Sequence, residues 1–252
     1  MAEESWGYDL DVLAAGYAHR PSSAAALHRA DRGARRAALG PGRLAVDVGG
    51  GRGHQAERFA ATGAAAIVID RSPAMAAEAS QRRAVRAVVG DARRLPLRDG
   101  VADLVWFHTA IHYGGWERML DEAVRVARPG ALVAVWTFRP GHARRSFLAR
   151  WFPTIGEIDE ARFPDPAVLA EYLRASGCRD VGVVAEDERV VRTAGSWEAG
   201  VRGRFVSTLQ AVGGDELERG LAAFGDAHPD PDESVTYLLR YAGVSGRTPS
   251  LR

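Results

Sequence analysis

Residues 45–55 read AVDVGGGRGHQ, with four glycines in the five positions 49–53, directly after an apolar run that holds a single acid, Asp47. Glycine admits positive φ and lets backbone N–H and C=O groups touch a ligand with no side chain between them. The run before it, 43–49, is short and nearly continuous, the mark of a strand buried on both faces. The segment after it, 53–63, carries apolar residues at helix spacing and stops at Gly63. A strand, a glycine turn and a helix in that order point to an α/β sheet. Such a turn also serves plain strand-to-helix packing, so its meaning depends on its neighbours.

The same alternation continues outward. Residues 64–70 (AAAIVID) read as a second buried strand, and 72–83 as a helix with Ser72 at the N-cap and Pro73 at its first position. Strands are expected at 86–91, 102–108 and 131–138, with an amphipathic helix over 116–130 closed by Pro129-Gly130. Beyond these come a Pro- and acid-rich loop (153–166), a helix, a strand starting at Cys178, helices within 195–227, and a last strand over 234–244. Strands and helices alternating at this spacing imply a mostly parallel sheet with right-handed crossovers and helices on both faces. Ligands then bind beyond the carboxyl ends of the strands, near the point where strand order reverses. One domain is expected over 1–252: a helical lead-in (1–42), a core (43–138), and the rest of the sheet with a helical insertion at 195–230.

Composition narrows the partners. With 46% hydrophobic and 26% charged residues, the chain of 252 can bury a substantial core. Basic residues number 33 against 32 acids, a net charge of +1, which leaves no electrostatic footprint for nucleic acid. The lone cysteine, Cys178, rules out an intramolecular disulfide and a cysteine zinc cluster, and fits a reducing cytoplasm. No apolar stretch approaches the length of a membrane span. The expectation is a soluble cytoplasmic monomer or homodimer.

The strand ends supply the chemistry. Asp70 closes the second strand, at the distance where an acid chelates the two hydroxyls of a ribose. A P-loop would need Lys-Ser or Lys-Thr after its glycines, whereas this turn continues Gly53-His54-Gln55. A dinucleotide fingerprint would need a third spaced glycine where His54 stands. Asp47 would sit badly beside a pyrophosphate, but it can stabilise a cation. S-adenosyl-L-methionine, which offers a sulfonium and an ammonium in place of phosphates, is therefore favoured.

VDVGGGRG (46–53), VIDRSPAM (68–75), VVGDARRLPLRDGVADLVWFHTAIHY (88–113) and EAVRVARPGALVAVW (122–136) resemble the successive motifs of the class I S-adenosylmethionine-dependent methyltransferases. The branch is that of the ubiquinone/menaquinone-biosynthesis-like and trans-aconitate-like enzymes, and YAHRPS (17–22) resembles their lead-in. The resemblance implies a Rossmann-like, doubly wound, seven-stranded, mostly parallel sheet with a helical lid from the N- and C-terminal segments. It also implies residue roles. Asp47 and the backbone of Gly49 and Gly51 would hold the methionine portion, and Asp70 the ribose. Arg71 or Ser72 would lie against the adenine, with Asp91 and the Ala92 N–H at its edge. The His108 carbonyl would line the methionine portion, and Tyr17 and Arg20 would close over its carboxylate. Gly50 stands where the family commonly carries cysteine or another small residue.

Methyl transfer is an in-line displacement at an activated carbon, so alignment and exclusion of water come first. A base helps only where the acceptor must lose a proton. His112 and His108, in HTAIHY, are the candidates. The acceptor is expected to be a small molecule of specialised metabolism, methylated on O, N or C, with no metal. Its walls would come from outside the common core: Trp6, Tyr8, Tyr113, Trp136, Phe138, Trp151, Phe152 and the 195–212 segment, with Arg139 placed to pair with an acceptor carboxylate. The residues after the fourth strand match neither the Asn/Asp-Pro-Pro-aromatic quartet of DNA amino-methyltransferases nor the acidic magnesium ligand of catechol enzymes. The open alternatives are the same fold using the cofactor for non-methyl chemistry, a macromolecular acceptor, a non-catalytic cofactor-binding module, and a nicotinamide dehydrogenase.

Overall fold

In the computed structural model, which describes residues 8–17 and 23–250, helices α1 (Leu10–Gly16) and α2 (Ala24–Arg36) lead into the sheet. The alternation then runs β1 (Leu44–Val48), α3 (His54–Ala60), β2 (Ala65–Asp70), α4 (Pro73–Ser80), β3 (Val85–Val89), β4 (Ala102–His108), α5 (Trp116–Val126) and β5 (Ala127–Phe138). Helices α6 (Phe147–Trp151), α7 (Pro153–Arg162) and α8 (Pro166–Ala175) precede β6 (Arg179–Thr193). Helices α9 (Ala194–Arg202) and α10 (Gly214–Ala227), with a 3-10 turn at Ser207–Ala211 between them, separate β6 from β7 (Ser234–Arg247). The seven strands lie in the order β3-β2-β1-β4-β5-β7-β6, and only β7 runs antiparallel to its neighbours. Strand order reverses between β1 and β4, so the crevice above that pair is where a ligand belongs.

Period-2 alternation divides each central strand between two cores. Val105, Phe107, Val133 and Val135 pack with Leu120, Leu169 and Leu173 from α5 and α8. Leu104, Trp106, Ala134 and Trp136 face the opposite side, against Ala30, Ala34 and Phe59 from α2 and α3. A third core lies under α6, α9 and α10, around Phe152, Trp197, Phe205, Leu221 and Phe224. Ser72 caps α4 as expected, its hydroxyl accepting from the Met75 N–H at 3.2 Å, with Pro73 in the first turn.

Three expectations are corrected. The Pro- and acid-rich stretch after Phe152 is helix α7, because Pro153 sits at its first turn, where no N–H is needed. Pro129-Gly130 does not end α5 but lies inside β5, where a register shift opposite Ala102 and Leu104 absorbs it. Strand β6 continues to Thr193, because all of its outer half pairs with β7. No described helix is long and apolar enough to cross a membrane.

Candidate active site

The glycine turn joins β1 to α3 at the reversal point. Gly49 (φ +64°) donates its N–H to the Ile69 carbonyl at 2.7 Å, and a Cβ there would lie 2.5 Å from the Ala110 Cβ. Gly51 (φ +53°) donates to Asp70 Oδ2 at 2.9 Å. Gly50 has another reason to be glycine, since its Cβ would stand 2.6 Å from Asp47 Cγ. The position therefore does more than favour small residues: any side chain moves the acid beside it.

Asp47 is 2% exposed, and its Oδ2 has no hydrogen-bond partner among the described residues. Burial, reinforced by the nearby Asp70 charge, pushes its carboxyl up to about 7, against the pull of the Ala56 N–H. A buried acid with an unsatisfied oxygen beside a cradle of bare backbone suits a cationic ligand, which would both ionise it and fill its open lone pairs. Asp70 is held by two backbone donors, Gly51 N–H and Ser72 N–H, each at 2.9 Å. Burial raises its carboxyl, opposed by those bonds and by the Arg71 backbone N–H.

Gly90, Ala92, Arg71, Ser72 and Met75 line the adjoining end of the cavity. Asp91 does not. Its carboxylate is turned back onto Arg93, with Nη2 at 2.8 Å and the Arg93 N–H at 2.9 Å, and the guanidinium holds it below the ordinary carboxylate range. The expected adenine contact of its side chain is thereby corrected, and Ala92 remains on the wall.

His108 ends β4 and is followed by Thr109 at φ +52°, a backbone strained for a β-branched residue and held by its N–H on the Trp136 carbonyl at 2.8 Å. Arg29 Nη1 lies 3.4 Å from His108 Nε2. A guanidinium only donates, so Nε2 is the acceptor in this arrangement and is engaged before any substrate arrives. Arg29 itself is fully buried, paired with Glu186 at 2.9 Å and Glu188 at 2.7 Å, and stacked 4.0 Å from the Tyr241 ring centre. His112 is 5% exposed and sits between the rings of Tyr113 and Phe163, centroids at 4.3 and 4.1 Å.

One cavity of about 680 Å³ runs from the glycine turn, past His108 and His112, to aromatic walls under α7, α9 and the Ser207–Ala211 turn. Tyr8, Tyr17, Tyr113 and Phe138 line it as expected. Arg20 and Trp6 lie outside the described residues. Trp136 does not line the cavity: it is buried in the α2 face, against Trp106, one step short of Phe138, which shares its strand face and does reach the cavity. Arg139 is likewise absent from the walls and pairs with Asp187 on the surface. Trp151 and Phe152 pack in the third core.

Ser207 and Thr208, in the 3-10 turn, line the cavity from within the expected 195–212 segment, whereas sequence reading missed Asp159 of α7, with Arg162 buried behind it, and two further polar groups. Glu188 and His142 come from β6 and the β5–α6 connection. His142 is held down to about 4 by burial and by the positive field of Arg240, Arg139 and Arg145. The acid-rich composition of 157–160 was the one signal for Asp159; Glu188 and Arg29 lie 159 residues apart and carried none.

Comparisons with known proteins agree with this geometry. The family model of a methyltransferase domain matches residues 46–135. The demethylmenaquinone methyltransferase of Mycolicibacterium paratuberculosis is 32% identical over 201 residues, covering 77% of this chain and 79% of that protein. Among solved structures, the YcgJ protein from Bacillus subtilis aligns with a TM-score of 0.61 at 16% identity, over 89% of this chain and 100% of that one. Phosphoethanolamine N-methyltransferase 2 from Haemonchus contortus, in complex with S-adenosyl-L-methionine, aligns at 0.62 and 16% identity, over 98% of this chain and 59% of that one. With the 3-2-1-4-5-7-6 sheet, the glycine corner and the buried acid at its centre, these relatives place the chain in the class I S-adenosylmethionine-dependent methyltransferases.

Proposed function

We propose that the chain transfers a methyl group from S-adenosyl-L-methionine to a small organic acceptor held between His112 and the aromatic walls under the lid. The observation that carries this reading is the single cavity of about 680 Å³, which joins the glycine corner to an aromatic chamber without a break. When bound, the cofactor supplies a methyl carbon activated by a sulfonium. Asp47 would face the cationic methionine portion, with the backbone of Gly49 and Gly51 beneath it. Asp70 would take the ribose hydroxyls. Arg71, Ser72 and the Ala92 N–H would border the adenine, and Tyr17 and the His108 carbonyl the methionine end.

The protein's own part is then to orient the acceptor and exclude water, which the enclosing α7 and Ser207–Ala211 turn support. His112, rather than His108, is the group placed to take a proton where the acceptor must lose one, because Arg29 already occupies His108 Nε2. The reading extends to a specialised metabolite. The test is a metabolite screen, with demethylmenaquinone included, that follows S-adenosylhomocysteine and methylthioadenosine together. Acceptor-dependent S-adenosylhomocysteine supports the reading; methylthioadenosine instead would assign non-methyl chemistry.

A further inference from the structure

The acceptor chamber has one buried polar corner. Arg162, with its side chain fully buried, donates from Nη1 to Thr208 Oγ1 at 2.8 Å and from Nη2 to Ser207 Oγ at 3.1 Å. Its guanidinium also lies 4.3 Å from the Tyr8 ring centre. Because Thr208 Oγ1 accepts from Arg162, its single hydrogen is directed onward, and it goes to Asp159 Oδ1 at 2.5 Å. Arg162 Nη1 stands 3.5 Å from the same Oδ1. Both neighbours therefore address one oxygen of Asp159. The other, Oδ2, has no hydrogen bond among the described residues. The side chain keeps 18% of its surface accessible, and it lines the cavity. Phe163, at the end of the same helix, stacks on His112, which brings this corner next to the residues that follow β4.

We infer that Asp159 is the anchoring point of the acceptor: its Oδ2 receives a hydrogen bond from a hydroxyl or amine on an otherwise apolar, ring-sized molecule. Thr208 and Arg162 are positioning residues that hold the carboxylate with that oxygen toward the chamber. Acceptors that would bring a carboxylate or an ether oxygen to this corner are opposed, because Asp159 Oδ2 offers lone pairs and no proton. Burial raises the Asp159 carboxyl, while the Thr208 hydrogen bond and the Arg162 charge pull the other way and favour the ionised, acceptor-only form. The inference rests on the proposed reading that the chamber takes a small acceptor.

The experiment uses the full chain saturated with S-adenosylhomocysteine and four one-ring probes, phenol, benzylamine, anisole and benzoate, titrated by calorimetry. The expected result is that phenol and benzylamine bind about tenfold more tightly than anisole and benzoate, the size of a charge-assisted hydrogen bond in a buried site. Asp159→Asn, which keeps an oxygen for Thr208 but turns an NH₂ toward the chamber, should abolish that preference, weakening phenol and benzylamine about tenfold and favouring anisole and benzoate, and leave S-adenosylhomocysteine affinity unchanged. Thr208→Val should blunt the preference and Thr208→Ser restore it. Asp159→Asn weakening all four probes equally, or none of them, would make Asp159 a staple between α7 and the 3-10 turn and overturn the inference alone. If none of the probes binds the wild-type protein, the acceptor-chamber reading falls, and this inference with it.

Discussion

Replacing Asp47 by Asn should make the cofactor-free protein more stable, by an amount that grows with pH, while removing cofactor binding. The carboxyl is 2% exposed and is raised by burial from 3.8 to about 7. Below 3.8 it is protonated in both folded and unfolded chains and costs nothing. Between 3.8 and 7 the unfolded chain has released the proton and the folded chain still holds it, so stability falls as pH rises through that window and levels off above 7. At about 1.36 kcal/mol per pH unit, the cost is roughly 1 to 2 kcal/mol at pH 5 and about 4 kcal/mol at pH 7.5. Asparagine does not titrate, so the stability gain of the variant should widen by about 2 to 3 kcal/mol between those pH values. Urea unfolding of both apo proteins at pH 5 and 7.5 measures it directly. Calorimetry on the same samples should show S-adenosyl-L-methionine affinity reduced more than about tenfold in the variant, the loss expected for a buried charge partner. A pH-independent difference in stability would refute the account of Asp47 as a buried acid kept for a cation; wild-type cofactor affinity would refute the cation.

The other site residues give sharper, narrower expectations. Asp70→Asn should lower cofactor affinity more than about tenfold by replacing one hydroxyl-accepting oxygen, with the fold retained; Asp70→Ala should in addition cost about 1–3 kcal/mol by orphaning the Gly51 and Ser72 N–H groups. Gly50→Ala drives a methyl into Asp47 and should weaken the cofactor at least about tenfold with unchanged far-UV circular dichroism; unchanged affinity would mean that the acid can step aside. His112→Phe keeps the stack on Phe163 and Tyr113 and should lower kcat about a hundredfold at constant cofactor affinity; a normal kcat would leave it a wall of the chamber. Arg29→Met strands Glu188 as a buried charge without its partner, and should cost about 3–5 kcal/mol in chemical denaturation.

The cofactor half of the site was legible because everything that specifies it is local. Strands β1, β2 and β4 are short apolar runs, each ends at the crevice, and the residues that matter sit at those ends: Gly49, Asp70, His108. Asp47 is the exception that carried most information, since an acid inside a strand buried on both faces has no structural reason to be there. Trp136 shows the limit of the same signal. A continuous apolar strand tells a reader that both faces are covered but not how far along it the crevice begins, and on one face of β5 Phe138 reaches the cavity while Trp136 is buried under α2. Helix α7 was hidden by Pro153 and by acids that lower apolar periodicity, although a proline in the first turn is compatible with a helix.

The acceptor half is different in kind. Tyr8 precedes α1, Asp159 and Phe163 belong to the α7 segment, and Ser207 and Thr208 lie in a turn some 45 residues further on, as the 45-residue separation of Arg162 from Ser207 shows. No period or motif ties such segments together; only the packing of the third core on Trp197, Phe152 and Phe224 brings them over the crevice. A sequence therefore names the ligand whose contacts sit at successive strand ends, but of the ligand whose contacts are assembled by tertiary packing it offers aromatic candidates such as Tyr8 and Phe138 and misses the polar anchor Asp159. The same division appears in the energetics. Asp47 without a cation grows more costly as pH rises toward neutrality, which on the proposed reading ties the core to its cofactor, whereas Asp159 is already satisfied on one oxygen and leaves only the other to select what enters.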